Sequence, residues 1–176
     1  MSLPFTALEF FDVFRRYNDA VWPMQIVLTA LGVAAVVLLA LRRPGHERAL
    51  VILLAGVYGA RLRYEIPRDR RAVLGAALIA YGLAVYPLLS LWLGAWPEAP
   101  TFGLPCPTTI FTVGVLCFLR APFPRYVFLV PLLWSVVGSS AIVQCGLLQD
   151  LGLAVAGLVA LRLMIRWHGT SKAAYA

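Results

Sequence analysis

The sequence predicts an all-α protein, a polytopic transmembrane helix bundle of about five spans, and three observations predict it. Of 176 residues, 61% are hydrophobic and only 13% charged, with a mean hydropathy of +0.84; a soluble domain carries about 25% charged residues. Several stretches run near 20 residues without a charge, the length that crosses about 30 Å of hydrocarbon as helix. Basic residues collect between those stretches, where they act as topology signals. The net charge of +7 is therefore not a nucleic-acid footprint. This composition excludes an ordinary soluble enzyme, a disordered chain and a nucleic-acid-binding module. No HExxH, CxxC, P-loop, GxGxxG or GxSxG motif occurs. One integral membrane domain, 1–176, accounts for the length, and no internal repeat is evident.

Residues 5–19 read as an amphipathic helix on the bilayer surface. Pro4 precedes Thr6, and Glu9 follows Thr6 at capping-box spacing. Phe10, Phe11, Val13, Phe14 and Tyr17 supply apolar surface; Asp12, Arg15, Arg16 and Asp19 supply the wet face. The same acidic residues, and the lack of a basic start, argue against a cleavable signal peptide. Residues 21–41 carry no charge and form the first expected span. Residues 49–60 are apolar but cover about 18 Å as helix, too short for a normal crossing, so a re-entrant or interfacial segment is expected there. Residues 72–94 form the second span. The third, 107–119, follows a start broken by Pro105 and Pro107. The fourth, 126–148, is expected to kink at Pro131, and the fifth is 151–165.

Charge sets the expected topology. If 49–60 crossed, the arginines of 42–48 and those of 61–71 would face opposite sides, against the positive-inside bias. If it does not cross, thirteen of the fifteen basic residues, all but Arg15 and Arg16, lie on one side. Arg61, Arg63, Arg68, Arg70 and Arg71 then hold a cytoplasmic loop, in reach of anionic lipid head groups. The N-terminus is outside and the C-terminus cytoplasmic. Ala76, Ala80 and Ala84, like Gly152, Ala156 and Ala160, recur every four residues. Such stripes let helix backbones approach; packing inside the bundle is the favoured reading, and oligomerisation the other.

Several stretches carry a resemblance. They are Tyr17-Asn18 with Val21-Trp22-Pro23-Met24-Gln25, Tyr86-Pro87-Leu88-Leu89, the block from Pro100 to Thr112 around Cys106, Pro124-Arg125, Pro131 to Ser135, and Gln149-Asp150-Leu151-Gly152-Leu153. Through them the chain resembles an uncharacterised family of bacterial multi-pass inner-membrane proteins, loosely labelled permeases. The resemblance implies a bacterial inner-membrane location and brings no activity, substrate or cofactor. Relatives resembling this chain carry an extra hydrophobic hairpin where 49–60 stands. That segment looks like the start of one span joined to the end of another.

The candidate site centres on Cys106. It lies between two prolines at the head of a short helix, below the outer surface, where irregular backbone must be covered by protein or line a wet cavity. Broken segments of this kind mark binding sites in transporters. Helix-start N–H groups favour anions, and Thr108 and Thr109 add hydroxyls. Gln25, Tyr86 and Asp150 complete the expected substrate-binding set. The plainer readings are a packing role for Cys106, interhelical hydrogen bonding for Gln25 and Tyr86, and an N-terminal cap for Asp150. Cys145 sits at a similar depth, so Cys106 and Cys145 are candidates for a disulfide or a soft-metal pair. No Asp, Glu, His or Lys lies at the centre of an expected span, which weighs against a self-contained proton-coupled pump.

The functional expectation is a small permease-like, solute-binding protein and not an enzyme. It needs no cofactor. Its partners are the lipid bilayer and, in addition, copies of itself or the subunits of a membrane complex. A non-catalytic scaffold and a thiol or soft-metal handling protein are the alternatives.

Overall fold

A computed structural model describes residues 7–41, 64–92, 101–120, 125–145 and 147–166. All regular structure among them is helical, apart from two isolated bridges. α1 spans Ala7–Val21 and α2 Met24–Leu41. α3, Arg70–Ala80, runs through a π turn, Tyr81–Val85, into α4, Tyr86–Trp92. α5 is Pro105–Leu116. α6, Leu129–Cys145, and α7, Leu151–Arg166, each follow a short 3-10 turn, Arg125–Phe128 and Leu148–Asp150. Among the described residues three stretches are long and apolar enough to cross a membrane: Met24–Leu41, Arg70–Trp92 and Leu148–Ile165, with mean hydropathies of 2.5, 2.0 and 1.7. Pro105–Leu116 and Tyr126–Ser140 are apolar but shorter. The expected segment 49–60 lies outside the described residues.

α5 is the axis of the bundle. It is apolar all round, as a helix enclosed by others must be, and Ile110, Phe111, Val113 and Val115 are almost fully buried. α3, α6 and α7 pack against it. Glycines set the closest approach. A Cβ on Gly75 would stand 2.9 Å from the Gly114 carbonyl oxygen, and one on Gly114 would stand 2.9 Å from that of Gly75. Seven residues on from Gly75, a Cβ on Gly82 would lie 2.7 Å from the Pro107 oxygen. The seam of α3 against α5 is thus backbone on backbone, the arrangement small residues permit between membrane helices.

The small-residue stripes divide. Ala156 and Ala160 are fully buried, and Gly152 lies against the Tyr81 ring, as expected for packing inside the bundle. Ala76, Ala80 and Ala84 are exposed. The expectation that they pack internally is corrected: the glycines beside them take that face.

Helix ends follow the prolines and polar caps. Asp69 caps α3, its side chain accepting from the Arg71 N–H at 2.8 Å. α5 starts two residues before the expected Pro107, with Pro105 and Pro107 in the first turn, where a missing N–H leaves no bond unmade. It ends at Leu116 instead of 119. Pro131, where a kink is expected, falls in the first turn of α6, which begins at Leu129 directly after the 3-10 turn.

α2 and the α3–α4 rod run antiparallel. Gln25 and Ser90 border one cavity, while a Cβ on Gly32 would touch Leu83. Leu41 and Arg70 therefore lie at the same end of the bundle. At that end Arg71 donates to the Cys117 oxygen at 2.9 Å and the Leu119 oxygen at 2.8 Å, closing the carbonyl end of α5. Glu65 N–H donates to the Phe118 oxygen at 2.8 Å, the Glu65 carboxylate meets Arg120 at 3.6 Å, and Tyr64 bridges to Leu119. Burial raises the Tyr64 phenol above its ordinary pKa.

Candidate functional site

The opposite end buries uncharged polar groups and one carboxyl, while the charges of α1 beside it, Arg16 and Asp19 among them, stay exposed. The chemistry begins with Pro87. It lacks an N–H and crowds the carbonyl four residues back, and the π turn Tyr81–Val85 lies immediately before Tyr86-Pro87. In an α-helix, residues five apart overshoot a full turn by about 140°. The wider π turn, in which Tyr86 N–H bonds the Tyr81 oxygen, brings Tyr81 and Tyr86 to one side. Their rings meet edge to face at 6.2 Å and 84°.

Both phenols address the turn that starts α7. Tyr86 Oη donates to Asp150 Oδ1 at 2.6 Å, and Tyr81 Oη donates to the Gln149 oxygen at 2.8 Å. Asp150 has no exposed surface. Its carboxyl takes its hydrogen bond from Tyr86 and not from the backbone of α7, which corrects the expectation of a helix cap. Cys106, in the first turn of α5, turns its thiol towards the same carboxyl and towards Trp134 of α6. A thiol is a weak donor, and Asp150 Oδ2 has no hydrogen-bond partner among the described residues. Gly138 shapes the α6 wall: a Cβ there would stand 3.8 Å from Cys106 Sγ, 3.5 Å from Trp134 Nε1 and 2.5 Å from Leu153.

A second polar knot joins α1, α2 and the loop before α5. Asn18 is fully buried. Gln25 Nε2 donates to the Asn18 carbonyl oxygen at 3.2 Å and to Oδ1 at 3.3 Å, and Thr101 Oγ1 donates to the same Oδ1 at 3.1 Å. Gln25 Oε1 is buried without a partner among the described residues. Beside the knot lies a largely apolar cavity of about 900 Å³ between α2, α4 and the 101–102 loop.

The structure thus brings together three of the six expected site residues, Tyr86, Cys106 and Asp150. Gln25 belongs to the second knot. Thr108 Oγ1 accepts from the Gly103 N–H at 3.2 Å, holding a loop in which Gly103 needs a φ of +106°. Thr109 is half-buried on α5 and meets neither cluster through a described hydrogen bond. Sequence reasoning missed Tyr81, Trp134 and Gln149. Trp134 and Gln149 lie in stretches that carry the family resemblance, and the proline signal at Tyr86-Pro87 marks the π turn that recruits Tyr81. Among the described residues no group of three His, Cys, Asp or Glu side chains stands ready for a metal. Cys106 is a free thiol, which corrects the expectation of a disulfide with Cys145; the Cys145 side chain, at the end of α6, lies outside what is described. Arg61 and Arg63 also lie outside the described residues. Arg68 and Arg70 are exposed, and Arg71 is the clamp on α5.

Fold and site together define a helical protein with stretches long and apolar enough to cross a membrane and a carboxyl group buried among its helices. The chain belongs to a family of unknown function, DUF6064, whose family model it matches over residues 7–60 and 46–174. No curated protein and no solved structure matches it.

Proposed function

We propose that this DUF6064 member is a small permease-like protein that binds a solute where Asp150, Tyr86 and Cys106 meet. One observation carries the reading: a fully buried carboxyl among apolar helices, with one oxygen held by a phenol and the other unpartnered among the described residues. Ionisable groups at such depth are expensive and mark substrate or ion paths. The surroundings agree, because three interruptions of regular helix converge there: the π turn before Tyr86, the proline-led start of α5 and the 3-10 turn before α7. Broken helices supply the free backbone groups from which membrane binding sites are built.

The reading includes five crossings, by α2, α3–α4, residues 101–120 around the short α5, α6 and α7, in the bacterial inner membrane, with the N-terminus out and the C-terminus in. The shared end of Leu41 and Arg70 supports it, since a chain that leaves and returns on one side makes no net crossing between 42 and 69. The two family matches share residues 46–60, as expected if this chain lacks a portion that the family model carries there. The test is a thermal-shift screen of the purified protein against panels of small solutes. A ligand that raises Tm in the wild type loses its effect in Asp150→Asn and Tyr86→Phe and keeps it in Thr109→Val. A ligand shift that survives Asp150→Asn overturns the reading.

A second reading, a scaffold or accessory subunit of a membrane complex, is favoured by exposed Ala76, Ala80 and Ala84, a surface on which another helix can seat closely. Purification in gentle detergent separates the two: a stoichiometric partner lost on Ala80→Leu supports the scaffold, and a chain free of partners supports the permease.

A further inference from the structure

The cavity beside the second knot has a lining of one chemical sense. Its side-chain hydroxyls are committed inward. Thr29 Oγ1 donates to the Gln25 oxygen at 2.8 Å, Ser90 Oγ to the Tyr86 oxygen at 3.1 Å, and Thr101 Oγ1 to Asn18 Oδ1. Both described bonds of the Gln25 amide nitrogen go to Asn18. Because those Asn18 atoms are acceptors, the orientation of the Gln25 amide is fixed, and its Oε1 is left as an acceptor. Among the described lining residues Asp19 is the only charged side chain, and Trp22 belongs to the same lining. No described cation pairs with Asp19, although the chain as a whole carries +7. Away from this polar mouth the walls are Ile26, Ala30, Val33 and Leu83.

Gln25 Oε1 is itself buried, so what the cavity offers a ligand is one exposed carboxylate and an aromatic ring beside aliphatic walls, a set complementary to an amphipathic cation. We infer that this cavity binds an amphipathic primary ammonium, its N–H donors on the Asp19 carboxylate and its apolar body along α2 and the π turn. The cation is stabilised by the carboxylate through charge-assisted hydrogen bonds and by the indole face. The chain of the ligand buries apolar surface in the trough. This site is separate from the Asp150 cluster, so either assignment stands if the other fails.

The test uses the full chain in nanodiscs of phosphatidylcholine, whose head group has no N–H. Equilibrium dialysis compares decylammonium, decanol and decanoate, with empty discs subtracted. Decylammonium is expected to saturate at one site per chain and to bind more tightly than decanol, and decanoate is expected not to saturate. Asp19→Asn weakens decylammonium by roughly tenfold, the scale of one charged hydrogen bond, and leaves decanol unchanged. Asp19 is exposed, so this variant folds. Ala30→Phe fills the trough and removes both ligands. Discs doped with phosphatidylethanolamine separate two sources of the same chemistry: competition assigns the site to a lipid head group, and undiminished binding assigns it to a free amine. Decanoate binding as tightly as decylammonium, or undiminished ammonium affinity in Asp19→Asn, overturns the inference.

Discussion

The two ends of the bundle solve the same problem differently. At the arginine end, α5 stops in a turn whose carbonyls are taken up by the Arg71 guanidinium, and the neighbouring strand-like segment is stitched on by Glu65, Arg120 and Tyr64. The hydrogen bonds and ion pair described there are charge-assisted or backbone to backbone. At the other end, phenols, amides, a thiol and a carboxyl make a network that does not close. The two buried side-chain oxygens without a partner among the described residues, Gln25 Oε1 and Asp150 Oδ2, are both there. Buried polar groups are paired almost everywhere in native proteins, and each exception asks for a reason. The contrast teaches that one end is built to be shut, whereas the other keeps acceptor capacity in reserve for something that arrives.

The seam that joins the ends gives the largest expected effect. Gly114→Leu drives a side chain into the Gly75 carbonyl, with no flexible neighbour to give way. Overpacking of a core costs about 1–3 kcal/mol and occasionally more, and here the obstacle is backbone. The expected outcome is loss of the folded species, read as aggregation on size exclusion in detergent. A monodisperse Gly114→Leu protein with unchanged Tm would show that α3 and α5 do not touch in this way.

Next in size is the clamp. Arg71→Ala leaves the Cys117 and Leu119 carbonyls of a buried turn without their donor. Hydrogen bonds to charged groups contribute about 1.5–3 kcal/mol, so Tm should fall by several degrees. Arg71→Lys restores only part of it, because an ammonium cannot reproduce the planar fork. Equal Tm values for alanine, lysine and wild type would remove the distinction between a closed and an open end.

Tyr86→Phe, at the open end, should cost less stability than Arg71→Ala and more function. It deletes one hydrogen bond and leaves Asp150 Oδ1 bare, for which the desolvation penalty is about 1–3 kcal/mol. The penalty depends on the carboxyl, so Tyr86→Phe should cost less in an Asp150→Leu background. A double-mutant cycle on Tm measures the coupling; strict additivity would mean that the 2.6 Å contact carries no energy.

Much of the fold was legible because it rests on apolar length and prolines. The α2 and α7 boundaries fall within a few residues of expectation, and the amphipathic helix over 5–19 is found at Ala7–Val21. Direction within a helix was less legible. Ala76, Ala80 and Ala84 have the spacing of a packing stripe, but Gly75 and Gly82 carry the packing, and spacing alone cannot say which of two adjacent small-residue faces turns inward. The structure brings half of the expected site set together, Tyr86, Cys106 and Asp150, each of which stands at a break in regular helix. Tyr81 was invisible for a physical reason: at α-helical periodicity it points away from Tyr86, and only the π turn before Pro87 unites them.

The smallest expected effect tests whether the closed end owes its strength to burial or merely to charge. Arg16 and Asp12 on α1 form an ion pair at 2.7 Å, with 81% and 44% of their side chains exposed. It is shorter than the Glu65–Arg120 pair and, by distance alone, should be the stronger. Exposed i,i+4 pairs contribute only about 0.3–0.5 kcal/mol, because water screens the charges and two long side chains lose freedom. Asp12→Ala should therefore leave Tm almost unchanged at moderate salt, while Arg71→Ala lowers it in the same buffer. If the two variants fall together, and both losses vanish in high salt, simple Coulomb attraction holds the arginine end and the carbonyl clamp is incidental. If Asp12→Ala is silent and the Arg71→Ala loss persists in salt, closure comes from the hydrogen bonds that Arg71 donates to the Cys117 and Leu119 carbonyls and not from charge attraction alone.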